Sequence, residues 1–407
     1  MAATHKHIVN PHWPRSVTQA SRAMTSPVRK ARSVPALVRL FLFVEAGGRC
    51  EFDGCNKYLL EHHVTLTAGN FAEVAHIVAF QEDGPRGRSK VRPVDIHEAQ
   101  NLMLLCPECH KHIDDHPERF PIATLRKFKE RHERHIHHMT ALRPEYRTSV
   151  LMVTANICDQ GVFIPFDQVI EALAPRYPVS KPGKLIDLTS IPINDTASLE
   201  TAREAVRRGL AALYDAGGEV QTVKHMSIFA LAPMPLLVDL GARLSNKIPT
   251  DLYQRHRDTE DWTWKQGDTS VSYTFGIVQQ GTDPTKAALI MSLSGTIRLE
   301  DLPPSIDQTF TVYEFTLKGA IPHPAFLKTR SDLEVFRASY QALLGSILDN
   351  QGIVKELHLF PAVPAPVAIL CGRELLPKVH PGLLVYDFDK QKDGFTFQLK
   401  VNAYGHE

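Results

Sequence analysis

The chain holds six cysteines, and four of them form two close pairs, Cys50-x4-Cys55 and Cys106-x2-Cys109, with fifty residues between the pairs. Tetrahedral Zn²⁺ takes four such ligands, and the short spacing within each pair lets two turns present sulfur to one ion. The stretch between the pairs is short of core-forming residues, so a structural metal supplies stability that packing alone does not. Three further side chains stand in or beside this frame: His76 in EVAHIV, Asn101 in NLMLLC, and His110 directly after Cys109. A neutral imidazole is the side chain best suited to accept a proton near pH 7, and it also ligates divalent ions. Cys158 and Cys371 stand alone and read as inert buried thiols.

The elements that must position these residues follow from spacing. A helix is expected after Pro35, because Leu37, Leu40, Phe41 and Val44 recur at helical intervals and Gly47-Gly48 end it. A compact, loop-rich unit then runs to about Asp115. Another helix is expected from Ile122 to about His138, with Ile122, Leu125 and Phe128 apolar and Arg126, Lys127, Lys129, Arg131 and Arg134 on the remaining faces. Residues 1–33 mix Pro, Ser, Thr and basic residues without periodicity and read as a flexible basic arm. Residues 141–149 read as a linker.

Composition sets the outer limits. With 407 residues, 43% hydrophobic and 22% charged, the chain is globular and long enough for two or three domains. Disordered, collagen-like and disulfide-scaffold classes are excluded. Lys plus Arg (46) almost equals Asp plus Glu (45), but the balance is uneven: 20 basic and 15 acidic residues lie before Thr140, which leaves 26 and 30 after it. The first part carries +5 and the remainder −4, and fourteen of the twenty histidines belong to the first part. No apolar run approaches the ~20 residues that span a bilayer, and no signal segment opens the chain. A reducing cytoplasm without membrane contact is the expected setting.

The ordered triplet His76, Asn101 and His110 within four cysteines resembles the HNH, or ββα-metal, nuclease family. The resemblance covers about Ala36–His138, and implies an α+β zinc-containing HNH domain over residues 34–140 that cleaves double-stranded DNA. It makes His76 the general base, Asn101 the residue holding the His76 ring, and His110 a ligand of a catalytic divalent ion, Mg²⁺ or another, beside the structural zinc on Cys50, Cys55, Cys106 and Cys109. Many relatives carry an acidic metal ligand directly before the base, where this chain has Ala75. Glu73 or Asp114 is expected to compensate. Arg126, Lys127, Lys129, Arg131 and Arg134, with Arg86, Arg88, Lys90 and Arg92, are expected to neutralise DNA phosphates.

Beyond residue 150 the chain repeats itself. HMSIFALAPMPLLVDLGARL from His225 is matched by HLFPAVPAPVAILCGREL from His358. Pro233 precedes Gly241 by eight residues, as Pro364 precedes Gly372, and Tyr253 precedes Trp262 by nine, as Tyr386 precedes Phe395. Each copy follows an apolar strand (Lys184–Leu188 or Thr311–Leu317) and a helix (Ser198–Tyr214 or Ser331–Leu348). Two pseudo-symmetric α/β units are expected, over about 180–270 and 310–400, with ligands at the carboxyl ends of their strands.

This second region resembles the SAVED domain, which implies an α/β fold of two fused CARF-like, Rossmann-like units over 150–407 that senses a cyclic dinucleotide or trinucleotide. Stacking is expected from Tyr253, Trp262 and Trp264, and phosphate contact from Lys224, Arg255 and His256. The HNH and SAVED pairing resembles effectors of CBASS antiphage signalling. It implies a nuclease held inactive until it binds a cyclic oligonucleotide made by a partner nucleotidyltransferase, with ligand-induced homo-oligomerisation. The alternatives are a constitutive restriction-type HNH endonuclease and a zinc-containing ligand- or DNA-binding protein whose catalytic site has decayed.

Overall fold

The computed structural model describes residues 33–157, 160–215, 217–244, 248–267, 271–376, 379–389 and 393–402. The basic arm, apart from Ser33, and Cys158 lie outside them. The chain divides into two compact units with the boundary after His137.

In the first unit, Pro35 caps α1 (Ala36–Glu45). Gly47 and Gly48 end it in the left-handed region at φ +59° and +67°, where glycine meets no Cβ penalty. An irregular stretch leads to β1 (Glu73–His76), which pairs antiparallel with β2 (Leu102–Leu105), placing His76 opposite Leu102 and Glu73 opposite Leu105. α2 (Pro107–Asp115) follows with Cys106 as its N-cap and Pro107 in its first turn. α3 (Ile122–Ala141) follows. The core of this unit is small and is built on Leu59, Ala75, Ile77, Met103, Leu104, Leu105, Ile113 and Leu125, together with Cys50 and Cys106.

The second unit starts earlier than composition suggests. Residues 143–149 are not a linker but the first half of β3 (Arg143–Thr154). Its Val150, Leu151, Met152 and Val153 are buried, and such a continuous apolar run marks a strand covered on both faces. Then come α4 (Phe166–Leu173), β4 (Arg176–Pro178), β5 (Lys184–Asp187), α5 (Thr196–Tyr214), α6 (Glu219–Val223), β6 (Met226–Leu231), α7 (Met234–Arg243) and β7 (Thr250–Leu252). The second half holds β8 (Tyr273–Gln279), β9 (Ala287–Ser292), β10 (Thr311–Leu317), α8 (Arg330–Gln351), β11 (Glu356–Ala362), α9 (Ala365–Arg373), β12 (Gly382–Asp389) and β13 (Gly394–Val401).

The internal repeat is visible in the strand order. β3 pairs in parallel with β5 on one side and β6 on the other, and β6 pairs in parallel with β7. β9 pairs in parallel with β10 and with β11, and β11 in parallel with β12. Each half is thus a four-stranded parallel core in the order second, first, third, fourth. The remaining strands are additions: β4 on β3, β8 antiparallel on β10, and β13 antiparallel on β12. The opening strands β3 and β9 are not marked by sequence periodicity, because a buried parallel stretch lacks the alternation of a half-exposed strand. One continuous core joins both sheets through α5, α7, α8 and α9.

Candidate functional site

The four cysteine sulfurs lie within 4.8 Å of one another, the only group of three or more His, Cys, Asp or Glu residues, among those described, whose ligand atoms converge so closely. Two turns and a helix start present them. The Cys50 N–H donates to the Lys57 carbonyl, the Cys55 N–H to the Phe52 carbonyl, and the Cys109 N–H to the Cys106 sulfur at the head of α2. Burial pushes the Cys50 thiol up to about 12 and raises Cys106 and Cys109 above their usual values. Sulfurs held this close ionise together only with a cation between them, and the donor set suits tetrahedral Zn²⁺.

His76 ends β1 with a partly buried ring. Burial is the largest cause holding its pKa down at about 4, followed by the charges of His97, His110 and Arg92, while Asp114 acts the other way. The ring is therefore neutral at pH 7. Its Nε2 lies 3.3 Å from Nδ1 of His97, a neighbour the sequence reading missed. His97 lies twenty-one residues from His76, and only the return of the chain toward β2 brings them together; the histidine richness of this region was the one available signal.

Asn101 does not hydrogen-bond the His76 ring. Its side chain is fully buried and its hydrogen bonds go to backbone: Oδ1 accepts from the Val78 N–H at 2.9 Å, and Nδ2 donates to the carbonyls of Val78 and Ile96 at 3.1 and 3.0 Å. It ties the segment after His76 to the segment before His97. The expected role shifts from holding a ring to tying together the segments next to the two imidazoles.

His110, on the first turns of α2, stands between two carboxylates. Its Nδ1 lies 2.7 Å from Glu73 and its Nε2 3.4 Å from Asp114. The Asp114 hydrogen bond is the largest cause raising the His110 pKa, burial opposes it, and Glu73 adds to it. Burial pushes the Asp114 carboxyl up, but His110 and Arg86 outweigh it and hold the group below its usual range. Glu73 and Asp114 thus meet different ring nitrogens. An ion on either nitrogen takes the carboxylate of that side, and the other carboxylate accepts the remaining N–H and orients the ring.

Residues 50–117 match the family model described as HNH endonuclease, and residues 207–401 match that of SAVED, the SMODS-associated sensor domain fused to various effectors. The chain joins an HNH domain to a SAVED domain. The HNH match contains all four cysteines, β1, β2 and α2. The SAVED match opens inside α5, so β3 and β5 extend the same parallel sheet ahead of it. Among solved structures, the Cap4 SAVED/CARF-domain containing receptor of Acinetobacter baumannii with the cyclic trinucleotide 2'3'3'-cAAA is 14% identical over 75% of this chain and 64% of its own, with a TM-score of 0.39. The Cap4 receptor of Moraxella osloensis is 13% identical over 72% of this chain and 60% of its own, with a TM-score of 0.37. The chain therefore spans less than two thirds of these receptors' length. No curated protein matches it. Among the described residues, no helix is long and apolar enough to cross a membrane.

Several cations of the HNH domain are committed elsewhere. Lys129 is 6% exposed and pairs with Glu51 and Glu133, so it is not a DNA contact: a buried ammonium needs these carboxylates. Arg131 pairs with Asp53. Arg86 donates to the carbonyls of Ile77 and Ile113 and to Asp114, and Arg92 donates to those of Ala79, Gly87 and Phe80. Both pin loops. Lys127, Arg134, Arg88 and Lys90 are exposed and Arg126 is half-buried.

The SAVED domain overturns part of the expected ligand set. Phe229 stacks on Tyr253 at 4.2 Å and meets Trp262 edge-on at 5.3 Å. In the second copy Phe360 stacks on Tyr386 at 4.4 Å and meets Phe395 edge-on at 5.4 Å. Tyr253 and Trp262 are thus the first copy of a repeated core triad, buried against the sheet, and do not offer a stacking face. Trp262 and Trp264 lie on no strand. Lys224 is exposed, but it stands before β6, at the amino end of the strand. Arg255 meets Gln168 at 3.3 Å. His256 is buried with its ring 5.7 Å from that of Trp264.

Proposed function

We propose that this chain is a metal-dependent endonuclease for double-stranded DNA, gated by a cyclic oligonucleotide and acting in antiphage defence. The observation that carries the reading is that His110, directly after Cys109 of the four-cysteine cluster, stands between Glu73 and Asp114 and acts on His76, in the same chain as a SAVED domain. Cys50, Cys55, Cys106 and Cys109 hold structural zinc. His110 Nε2 and Asp114 would hold the catalytic divalent ion, Mg²⁺ or another, while Glu73 fixes the ring through Nδ1. Such an ion stabilises charge on the phosphate and on the departing oxygen. His76 accepts the proton of the attacking water as its oxygen bonds to phosphorus, and the 3′ oxygen leaves and takes a proton. Exposed Lys127, Arg134, Arg88 and Lys90, with Arg126, steady the duplex through its phosphates.

In the SAVED domain two fused CARF-like units place the ligand where each strand order reverses, between β3 and β6 and between β9 and β11, at the carboxyl ends. Gln254 Oε1, His256 Nε2 and Trp264 Nε1 are buried without hydrogen-bond partners, so the segment after β7 gains most from a polar ligand. Binding shifts a conformational or assembly equilibrium that releases the nuclease. A partner nucleotidyltransferase supplies the messenger and homo-oligomers form on binding. Purified protein mixed with supercoiled plasmid and a panel of cyclic di- and trinucleotides tests this: cleavage with one ligand and none without it supports gating, and equal cleavage in every lane overturns it.

A further inference from the structure

We infer that His97 is a positioning residue that fixes the tautomer of His76, so that Nδ1 of His76 is the basic atom offered to water. The inference rests on the reading of His76 as the general base.

His97 is the one hydrogen-bond partner of the His76 ring among the described residues, with His76 Nε2 3.3 Å from His97 Nδ1. A neutral imidazole carries one proton, on one nitrogen or the other. One proton alone fits between the two rings, so they must agree on who donates. If His76 donates from Nε2, its Nδ1 keeps a lone pair and can take the proton of water. In the reverse arrangement Nδ1 carries hydrogen, and the base is lost although nothing has moved.

His97 is built to hold one position. It is 7% exposed, and its ring stacks on Phe80 at 5.5 Å with 26° between the planes. Its backbone N–H donates to the Asp95 carboxylate at 3.0 Å, and the carbonyl just before it, on Ile96, accepts from Asn101 at 3.0 Å. Phe80 also stands 6.0 Å from the His76 ring. The charged groups around His76, namely Arg92, His110 and Asp114, act on it electrostatically, whereas the contact with His97 engages one ring nitrogen directly.

Two measurements on the full chain test this. Nitrogen-15 spectra of histidine-labelled protein, with His76 assigned by its loss in His76→Ala, should show neutral His76 protonated on Nε2. In plasmid cleavage His97→Leu should lose about 10²-fold in kcat, the scale of general-base catalysis, with KM for DNA unchanged. His97→Asn, which puts an acceptor oxygen where Nδ1 lies, should recover most of that loss. Protonation of His76 on Nδ1, a His97→Leu protein as active as the parent, or a His97→Asn protein no better than folded His97→Leu would each overturn it. Should His97→Leu lose zinc and unfold, the parental spectrum and His97→Asn still decide. Should the parent cleave no DNA with any ligand, the proposed function fails, and the spectrum alone decides the role of His97.

Discussion

Gly241 and Gly372 each face the other's helix. A Cβ on Gly241 would lie 1.9 Å from the carbonyl oxygen of Ile369, and one on Gly372 2.0 Å from that of Val238. The two glycines occupy the same position in the two copies of the repeat, and α7 and α9 approach so closely that only hydrogen fits at either point. This crossing joins the two halves of the SAVED domain.

Gly241→Ala and Gly372→Ala should therefore be equally harmful. Forcing the helices apart is overpacking against backbone, worth about 3 kcal/mol at each site. Because both substitutions act on one crossing, the double variant should lose less than the sum of the singles. Calorimetry of the full chain reads this, and a strictly additive double variant would show that each helix relaxes independently.

Lys129 separates structural from DNA-binding cations. Lys129→Met removes the partner of Glu51, whose carboxyl is fully enclosed and already pushed up to about 7 by burial. The cost should be about 3 to 5 kcal/mol in stability of the HNH domain. Lys127→Ala should leave stability within about 0.5 kcal/mol and instead lower the salt dependence of DNA binding by about one counterion. Thermal melts and DNA-binding isotherms at several salt concentrations distinguish the two, and equal losses of stability would contradict the assignment.

The cysteine cluster should hold one zinc ion per chain. Cys55→Ser should weaken zinc binding by more than the roughly 10- to 100-fold that follows from removing a residue that only orients a ligand. The small core of the first unit should then open to proteolysis, while the SAVED domain melts as in the parent. Metal analysis with limited digestion checks both, and full zinc content in the variant would remove Cys55 from the ligand set.

Much of this was legible from spacing. The cysteine pairs, the order His76, Asn101, His110 and the offsets from Pro233 and Pro364 to their glycines are local in sequence, and the structure places each on the element that its neighbours dictate. The misses share a physical origin. The buried run Val150–Val153 of β3 and the buried strand β9 show no alternation of apolar and polar residues, so periodicity does not mark them. Trp262 and Tyr253 carry side chains suited equally to a ligand face or a core, and burial against Phe229 decided between these. Lys129 and Arg86 read as surface charge because their partners, Glu51 and the carbonyls of Ile77 and Ile113, come from elsewhere in the chain.

The pH dependence of cleavage should have two separable acid limits. His110 has its pKa raised by Asp114 and Glu73, so in the metal-free protein it holds a proton that a divalent ion must displace. At low metal concentration cleavage should fall as pH drops through a point above the ordinary imidazole range, and added metal should move that limit downward. His76 titrates oppositely placed: its pKa is depressed to about 4, so it stays a neutral base through the range where a free histidine would charge. The linkage has the matching sign. The unfolded chain binds the His76 proton more readily than the folded one between about 6.5 and 4, so this contribution to stability is whole above that window and is lost as pH falls through it. At saturating metal, cleavage should stay nearly flat from pH 7 down to about 5.5, measured as initial rates on supercoiled plasmid. An acid limit fixed at 6.5 whatever the metal concentration would place the titrating base in an exposed environment and remove His76 from that role.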